Sequence, residues 1–221
     1  MQRHLFVLFL LALTQITGWG MVSVLPVIAT TVATEFQTSL PMIFVGTSVM
    51  FVAMGLAAPW TGRAFRRFGP RSVMAAGAGM IAGGLCLLAL APGLLVFWAA
   101  WVLIGIAGSM FLTTSAYAYI ADYAEDRARS LIGTLMLVTG LAGSVFWPIT
   151  AFLDGLVGWR ATILVYAGIM ALVICPLVLI GLPGNWNSDR TGHQQKKCAQ
   201  GSCLRPSCDR HRFEQFCYVW H

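Results

Sequence analysis

Charge is what this sequence has least of. Only 10% of its 221 residues are Asp, Glu, Lys or Arg, whereas soluble globular domains carry about 25%. Residues 5–34, 36–62, 72–121 and 161–188 hold no charged side chain at all, which argues against a water-soluble fold. No Asp, Glu, Lys, Arg or His falls near the middle of any apolar block, and a proton relay through a buried carboxylate is thereby disfavoured. No nucleophile, acid–base pair or metal cluster recurs within those blocks, so an enzyme reading has no support. The start, "MQRHLFVLFLLALTQITG", imitates a secretory leader with Arg3 and His4 ahead of an apolar run. It lacks a small-residue cleavage site, and the run continues past Pro26.

What is present is apolar length. Hydrophobic residues make up 58% of the chain, and crossing the roughly 30 Å hydrocarbon core takes about 20 of them in a helix. Uninterrupted apolar segments near 5–29, 40–61, 72–91, 94–118, 131–153 and 160–182 predict six such helices. Barrel strands would alternate over about ten residues and show a polar face, and these blocks do neither. In lipid every backbone N–H and C=O needs a partner within its own segment, which leaves helices. The expected fold is therefore all-α: a polytopic membrane domain over residues 1–182, followed by a polar, Cys-rich tail over 183–221.

The few cations fix an orientation. Arg3, then Arg63, Arg66, Arg67 and Arg71, then Arg127 and Arg129, and finally the tail's Arg190, Lys196, Lys197, Arg205, Arg210 and Arg212 all fall on one side of a six-span topology. Arg160 is the one basic residue opposite. This bias places both termini in the cytoplasm and argues against dual topology. It also makes membrane lipids the first partners of the basic connectors, and nucleic acid an unexpected one.

The connector Gly62-Arg63-Ala64-Phe65-Arg66-Arg67-Phe68-Gly69-Pro70-Arg71 resembles the G-x-x-x-D-R-x-G-R-R signature of the major facilitator superfamily, between the second and third spans and on the cytoplasmic side. Both glycines, Arg67 and Arg71 match. Arg66 stands where the signature has an acid and Pro70 where it has a base, so the family's acid-mediated gating contact is not implied here. Arg63, Arg67 and Arg71 remain suited to bonding helix-end carbonyls. "TQITGWG", "WVLIGIAGS", "GLAGSVFWP" and "GWR" are similar to first-, fourth-, fifth- and sixth-span elements of the same superfamily. "GWG" and "VFWP" resemble bacterial members that move small carboxylates. Trp101 replaces the arginine that many members carry four residues before Gly105.

The resemblance implies the amino-terminal six-helix half of a transporter in a bacterial inner membrane, working by alternating access on a small-molecule solute with no cofactor. Its partner is then a second parallel copy or a missing carboxy-terminal half, since superfamily halves are related by an axis along the membrane normal. A truncated or frameshifted product is another account of the ending. The alternative function is a non-transporting fragment or regulatory subunit whose tail binds a partner or metal.

Candidate solute contacts are polar or aromatic groups inside the spans. Gln15 and Trp19 are four apart and share a helix face, where the amide can bond a solute beside an aromatic wall; an interhelical hydrogen bond next to a packed Trp fits equally. Trp101, Thr113 and Trp147 are further candidates, and Trp60, Trp98 and Trp159 sit where interfacial belts form. Gly77, Gly79, Gly83, Gly84, Gly105, Gly108, Gly140 and Gly143 have spacings that suit close packing or sliding. Asp154 lies within reach of Arg160 across a short turn, while Asp122, Glu125 and Asp126 mix with Arg127 and Arg129 in a charged loop. The tail's Cys198, Cys203, Cys208, His211 and Cys217 lack paired C-x-x-C units, so no metal site is expected and the tail reads as reduced and disordered.

Overall fold

The computed structural model describes residues 2–112 and 128–181. Thr113, the charged loop around Asp122 to Arg127 and the tail lie outside the described residues. Every described element is helical: α1 (Gln2–Val22), α2 (Leu25–Glu35), α3 (Leu40–Phe68), α4 (Pro70–Ala89), α5 (Leu94–Phe111), α6 (Ala128–Gly140), α7 (Ala142–Ile169) and α8 (Cys175–Gly181), with a π-helical stretch at Met170–Ile174 before α8. That wider turn stands just ahead of Pro176, a residue that cannot donate to the preceding turn.

Five segments are long and apolar enough to cross a bilayer: Phe9–Glu35, Leu40–Phe68, Pro70–Ala89, Leu94–Phe111 and Gly133–Gly181. The last has 49 residues, about 74 Å at helical rise and more than twice the hydrocarbon thickness. Its backbone breaks at Gly158, with φ 78° and ψ 161°. Thr150 and Tyr166, eight residues to either side of that glycine, bring their hydroxyls within 2.7 Å, and the Phe146 and Tyr166 rings lie 6.2 Å apart. Residues 16 apart in a straight helix are separated by about 24 Å. The chain therefore doubles back at Gly158, and the long segment supplies two crossings, close to the expected 131–153 and 160–182.

Gly69 (φ 78°, ψ 155°) makes the same kind of one-residue turn between α3 and α4. Its N–H bonds the Phe65 carbonyl at 3.0 Å, and Pro70 opens α4 with its φ already fixed. The arginine-rich connector is thus mostly helix, since α3 runs on to Phe68 rather than ending near residue 61. A side chain at Gly69 has to occupy the left-handed region, which costs about 1–2 kcal/mol. Gly69→Ala is expected to lower the thermal midpoint of the detergent-purified protein by a few degrees. Gly62→Ala, where a Cβ meets open space, is expected to leave it unchanged.

α5 sits between α3 and α4, and small residues set both approaches. A Cβ on Gly77 would press on Met110, Phe111 and the Ala107 carbonyl, one on Gly84 on Ile104, and one on Gly46 on the Trp101 ring. At Gly105 an added Cβ would collide with the Met50 carbonyl of α3. Lipid chains are as apolar as Leu, so such backbone approach, not hydrophobic burial alone, holds membrane helices together. Gly79, Gly83 and Gly140 face open space instead. Around these contacts Met74, Ala78, Ile81, Leu85, Phe97, Ile104 and Phe111 form a fully buried core.

A candidate solute site at the broken first span

The first crossing is two helices, not one, and the break is a consequence of Pro26. Pro26 has no N–H to give the Val22 carbonyl, and the Val27 amide turns from Ser23 O to Val24 O at 3.1 Å, while Ile28 keeps its ordinary helical bond to Val24 O at 3.4 Å. The carbonyls of Val22 and Ser23 therefore lose their helical donors. Ser23 stands 12 residues before Glu35, the acid that ends the charge-free run, about 18 Å of helix, so these acceptors open roughly half-way into the ~30 Å hydrocarbon core. The Trp147 indole N–H reaches across from α7 and bonds Ser23 O at 3.1 Å. Trp147 lies 11 residues before the turn at Gly158, about 17 Å of helix, and next to Pro148, a second helix-interior proline.

Aromatic surface flanks the break. Trp19, four residues before Ser23, stacks on Phe51 of α3 with centroids 6.4 Å apart and planes 29° from parallel. Trp147 remains 46% exposed and Phe51 49% exposed, while Ser23 and Trp19 are half-buried. Gly20 lets α1 close on Phe146, whose ring occupies the space a Cβ would need. The break is therefore packed against α7 through Phe146 and Trp147, with the Trp19–Phe51 pair one helical turn away.

The other expected contacts are placed differently. Gln15 is fully buried, and its Nε2 donates to the Phe111 carbonyl at the end of α5, 2.9 Å away. It satisfies one of that helix's orphan C-terminal acceptors, leaving its own Oε1 buried without a partner. Gln15 and Trp19 thus face different neighbours, α5 and α3, despite their spacing. Trp101 is 1% exposed, packed on Gly46 and edge-on to Phe97, with its indole N–H unpaired. Neither Gln15 nor Trp101 presents surface to a solute in this conformation, whereas Trp19 and Trp147 do. Gln15→Leu, which leaves Phe111 O unpaired, is expected to cost about 1–3 kcal/mol, read as a lower thermal midpoint.

Of the connector residues, Gly62, Arg63, Arg66 and Arg67 ride on the end of α3, Gly69 is the turn and Arg71 opens α4. Arg66 and Arg67 occupy the last turn of α3, where the carbonyl end of the helix dipole favours cations. The Arg67 guanidinium lies over the Phe68 ring at 5.3 Å. Among the described residues none forms a hydrogen bond or ion pair with Arg63, Arg66, Arg67 or Arg71, so the expected bonds to helix-end carbonyls are not found there.

At the opposite end of the bundle the pairing differs from expectation. Arg160 bonds Glu35, not Asp154: its Nη2 lies 2.7 Å and its Nε 3.2 Å from Glu35 Oε1. It also donates to the carbonyls of Ala89 and Ala91 just beyond α4, so its fork of donors is engaged away from Asp154. Trp159 is no belt residue. It is 4% exposed, donates to Glu35 Oε2 at 2.7 Å and lies under the Arg160 guanidinium. One acid from the first crossing, two carbonyls from the third and a Trp-Arg pair from the last are thereby tied together. Glu35 was the residue sequence reasoning missed; its place at the end of a charge-free run is the signal.

A sequence profile of the Major Facilitator Superfamily matches residues 8–208. The chain belongs to the major facilitator superfamily. It is accordingly a multi-pass membrane protein, as its apolar helices require. Among curated relatives, an uncharacterized MFS-type transporter, YcxA of Bacillus subtilis (strain 168), is 26% identical over 151 residues. That stretch is 68% of this chain and 37% of the relative, so the match spans little more than a third of the relative's length. Superfamily membership gives the broken first span its context: discontinuous helices near the midplane are where transporters of several folds place their ligands.

Proposed function

We propose that the chain forms one six-helix half of a secondary transporter that moves a small organic solute by alternating access. The observation that carries this reading is the break of the first span inside the membrane, where Val22 O and Ser23 O lose their helical donors and Ser23 O is held instead by the half-exposed Trp147. Backbone of this kind is tolerated inside a bilayer where it lines a cavity or is buried in protein. The half is completed by a second parallel copy or by a carboxy-terminal half, and the arginine-rich ends lie in the cytoplasm of a bacterial inner membrane.

A single cysteine in place of Ser144, an exposed α7 residue three before Trp147, tests the mechanism. In right-side-out and inside-out vesicles from the native host, alternating access predicts slow modification by a membrane-impermeant maleimide from both sides. Modification from one side only, or from neither, contradicts it. Uptake of a labelled amine and carboxylate panel into the same vesicles then supplies the flux measurement, with Trp147→Ala expected to abolish it.

A further inference from the structure

The midplane surface is rich in acceptors and poor in anything that stabilises an anion. Val22 O has no helical donor, and Ser23 O holds one indole N–H in place of its own. Trp147 lies against Ser23 O through that bond, and Trp19, one helical turn before Ser23, stacks on the half-exposed Phe51. Among the described residues every arginine lies near a helix end or in a connector, away from the break: Arg3 at the start of α1, Arg63, Arg66, Arg67 and Arg71 around the α3–α4 turn, Arg129 at the start of α6, and Arg160 beyond the Gly158 turn. Carbonyl oxygens and aromatic faces both present negative potential, the former through the peptide dipole and the latter through the ring quadrupole. An ionised carboxylate placed there loses its hydration and gains no cationic partner, which is strongly unfavourable in a low-dielectric site. An ammonium group placed there meets the Ser23 carbonyl dipole and the Trp147 ring, with the Trp19–Phe51 pair one helical turn away.

From this we infer that the solute carries a cationic amine or quaternary ammonium group, which docks against Ser23 O and the Trp19, Phe51 and Trp147 rings. The inference rests on the proposed transport role of the site and departs from the carboxylates that the "GWG" and "VFWP" elements suggest. In it, Trp147 has two tasks. Its ring contributes a face to the cation, and its N–H holds the Ser23 carbonyl until the cation takes that acceptor over.

Equilibrium binding of radiolabelled phenyltrimethylammonium and benzoate to the purified full chain tests it, because the probes share a ring and differ in the sign of the head group. The cation is expected to bind saturably and at least tenfold more tightly than the anion. Trp147→Ala and, separately, Phe51→Ala are expected to weaken the cation at least tenfold in protein that remains helical by circular dichroism, Phe51→Ala with a thermal midpoint close to wild type. Trp147→Phe, which keeps a ring, is expected to recover most of the binding. Benzoate binding as tight as the cation's overturns the inference, as does absence of saturable cation binding, or binding indifferent to both alanine variants in folded protein. Cation binding without flux in vesicles sinks the transport reading alone, and carboxylate flux dependent on Trp147 sinks this inference alone.

Discussion

Gly105→Ala is expected to be among the most damaging single-methyl changes in the protein. The added carbon lands on the Met50 backbone carbonyl and next to Ala53, and backbone cannot rotate aside as a side-chain tip can. α3 has to move away from α5, and few other contacts hold it: only a narrow stripe of α3, through Ile43, Gly46, Met50, Thr61 and Phe65, is buried. That stripe includes the 2.7 Å bond between the Thr61 and Ser109 hydroxyls, which the same displacement stretches. Overpacking of this kind costs about 1–3 kcal/mol, or a fall of roughly 2–12 °C in thermal midpoint for a chain of this size. Gly55→Ala, on the open side of α3, is the matched control and is expected to be silent. Equal effects of the two changes would show that α3 and α5 do not cross at Gly105.

Arg160→Ala is the second large effect, and its size comes from backbone acceptors more than from the ion pair. The Arg160 and Glu35 side chains are 37% and 41% exposed, and pairs that open to water contribute about 0–1 kcal/mol. The carbonyls of Ala89 and Ala91 are another matter, because they close the end of α4 and receive charge-assisted bonds from the guanidinium. Losing hydrogen bonds to a charged group costs about 1.5–3 kcal/mol each. Arg160→Lys is expected to rescue little, since one ammonium on a flexible stem cannot reproduce the planar fork that serves Glu35 and both carbonyls together. Asp154→Asn, by contrast, is expected to leave the thermal midpoint unchanged. Loss of stability in Asp154→Asn with none in Arg160→Ala would reverse the assignment of partners.

The crossings were legible in the sequence because they depend on one quantity, apolar length, that local composition reports directly. The reversal near residue 158 was legible for the same reason: Asp154 and Arg160 interrupt the run. What escaped depends on which helices meet. Gly77, Gly84 and Gly105 are packed while Gly79, Gly83 and Gly140 face open space, and nothing in their local sequence separates the two groups. Glu35 and Arg160 are 125 residues apart, so their pairing exists only once the first and last crossings are neighbours. Asp154 looked like the partner because chain proximity was the one measure to hand.

The proposed site divides along the same line. Trp19 and Trp147 were found as aromatic groups at mid-span, and the structure leaves both accessible. Gln15 and Trp101 were equally plausible by residue type, but burial against Phe111 O and Gly46 removes them from the surface in this conformation. The break at Ser23 is visible only as Pro26 inside an apolar run. Its meaning, a Ser23 carbonyl stripped of its helical donor and held by Trp147, required knowing that Val27 bonds Val24 O instead and that Trp147, 124 residues on, reaches Ser23.

The central claim is that the chain threads the membrane repeatedly, with its Arg67 end on the inner face and its Gly158 turn on the outer one. Single cysteines replacing Arg67 and Val157, in a background freed of the native cysteines, measure this with an impermeant maleimide applied to intact cells. The Val157→Cys protein should label at once, and the Arg67→Cys protein only after lysis. Labelling of both from outside, or of Arg67→Cys alone, would contradict the account.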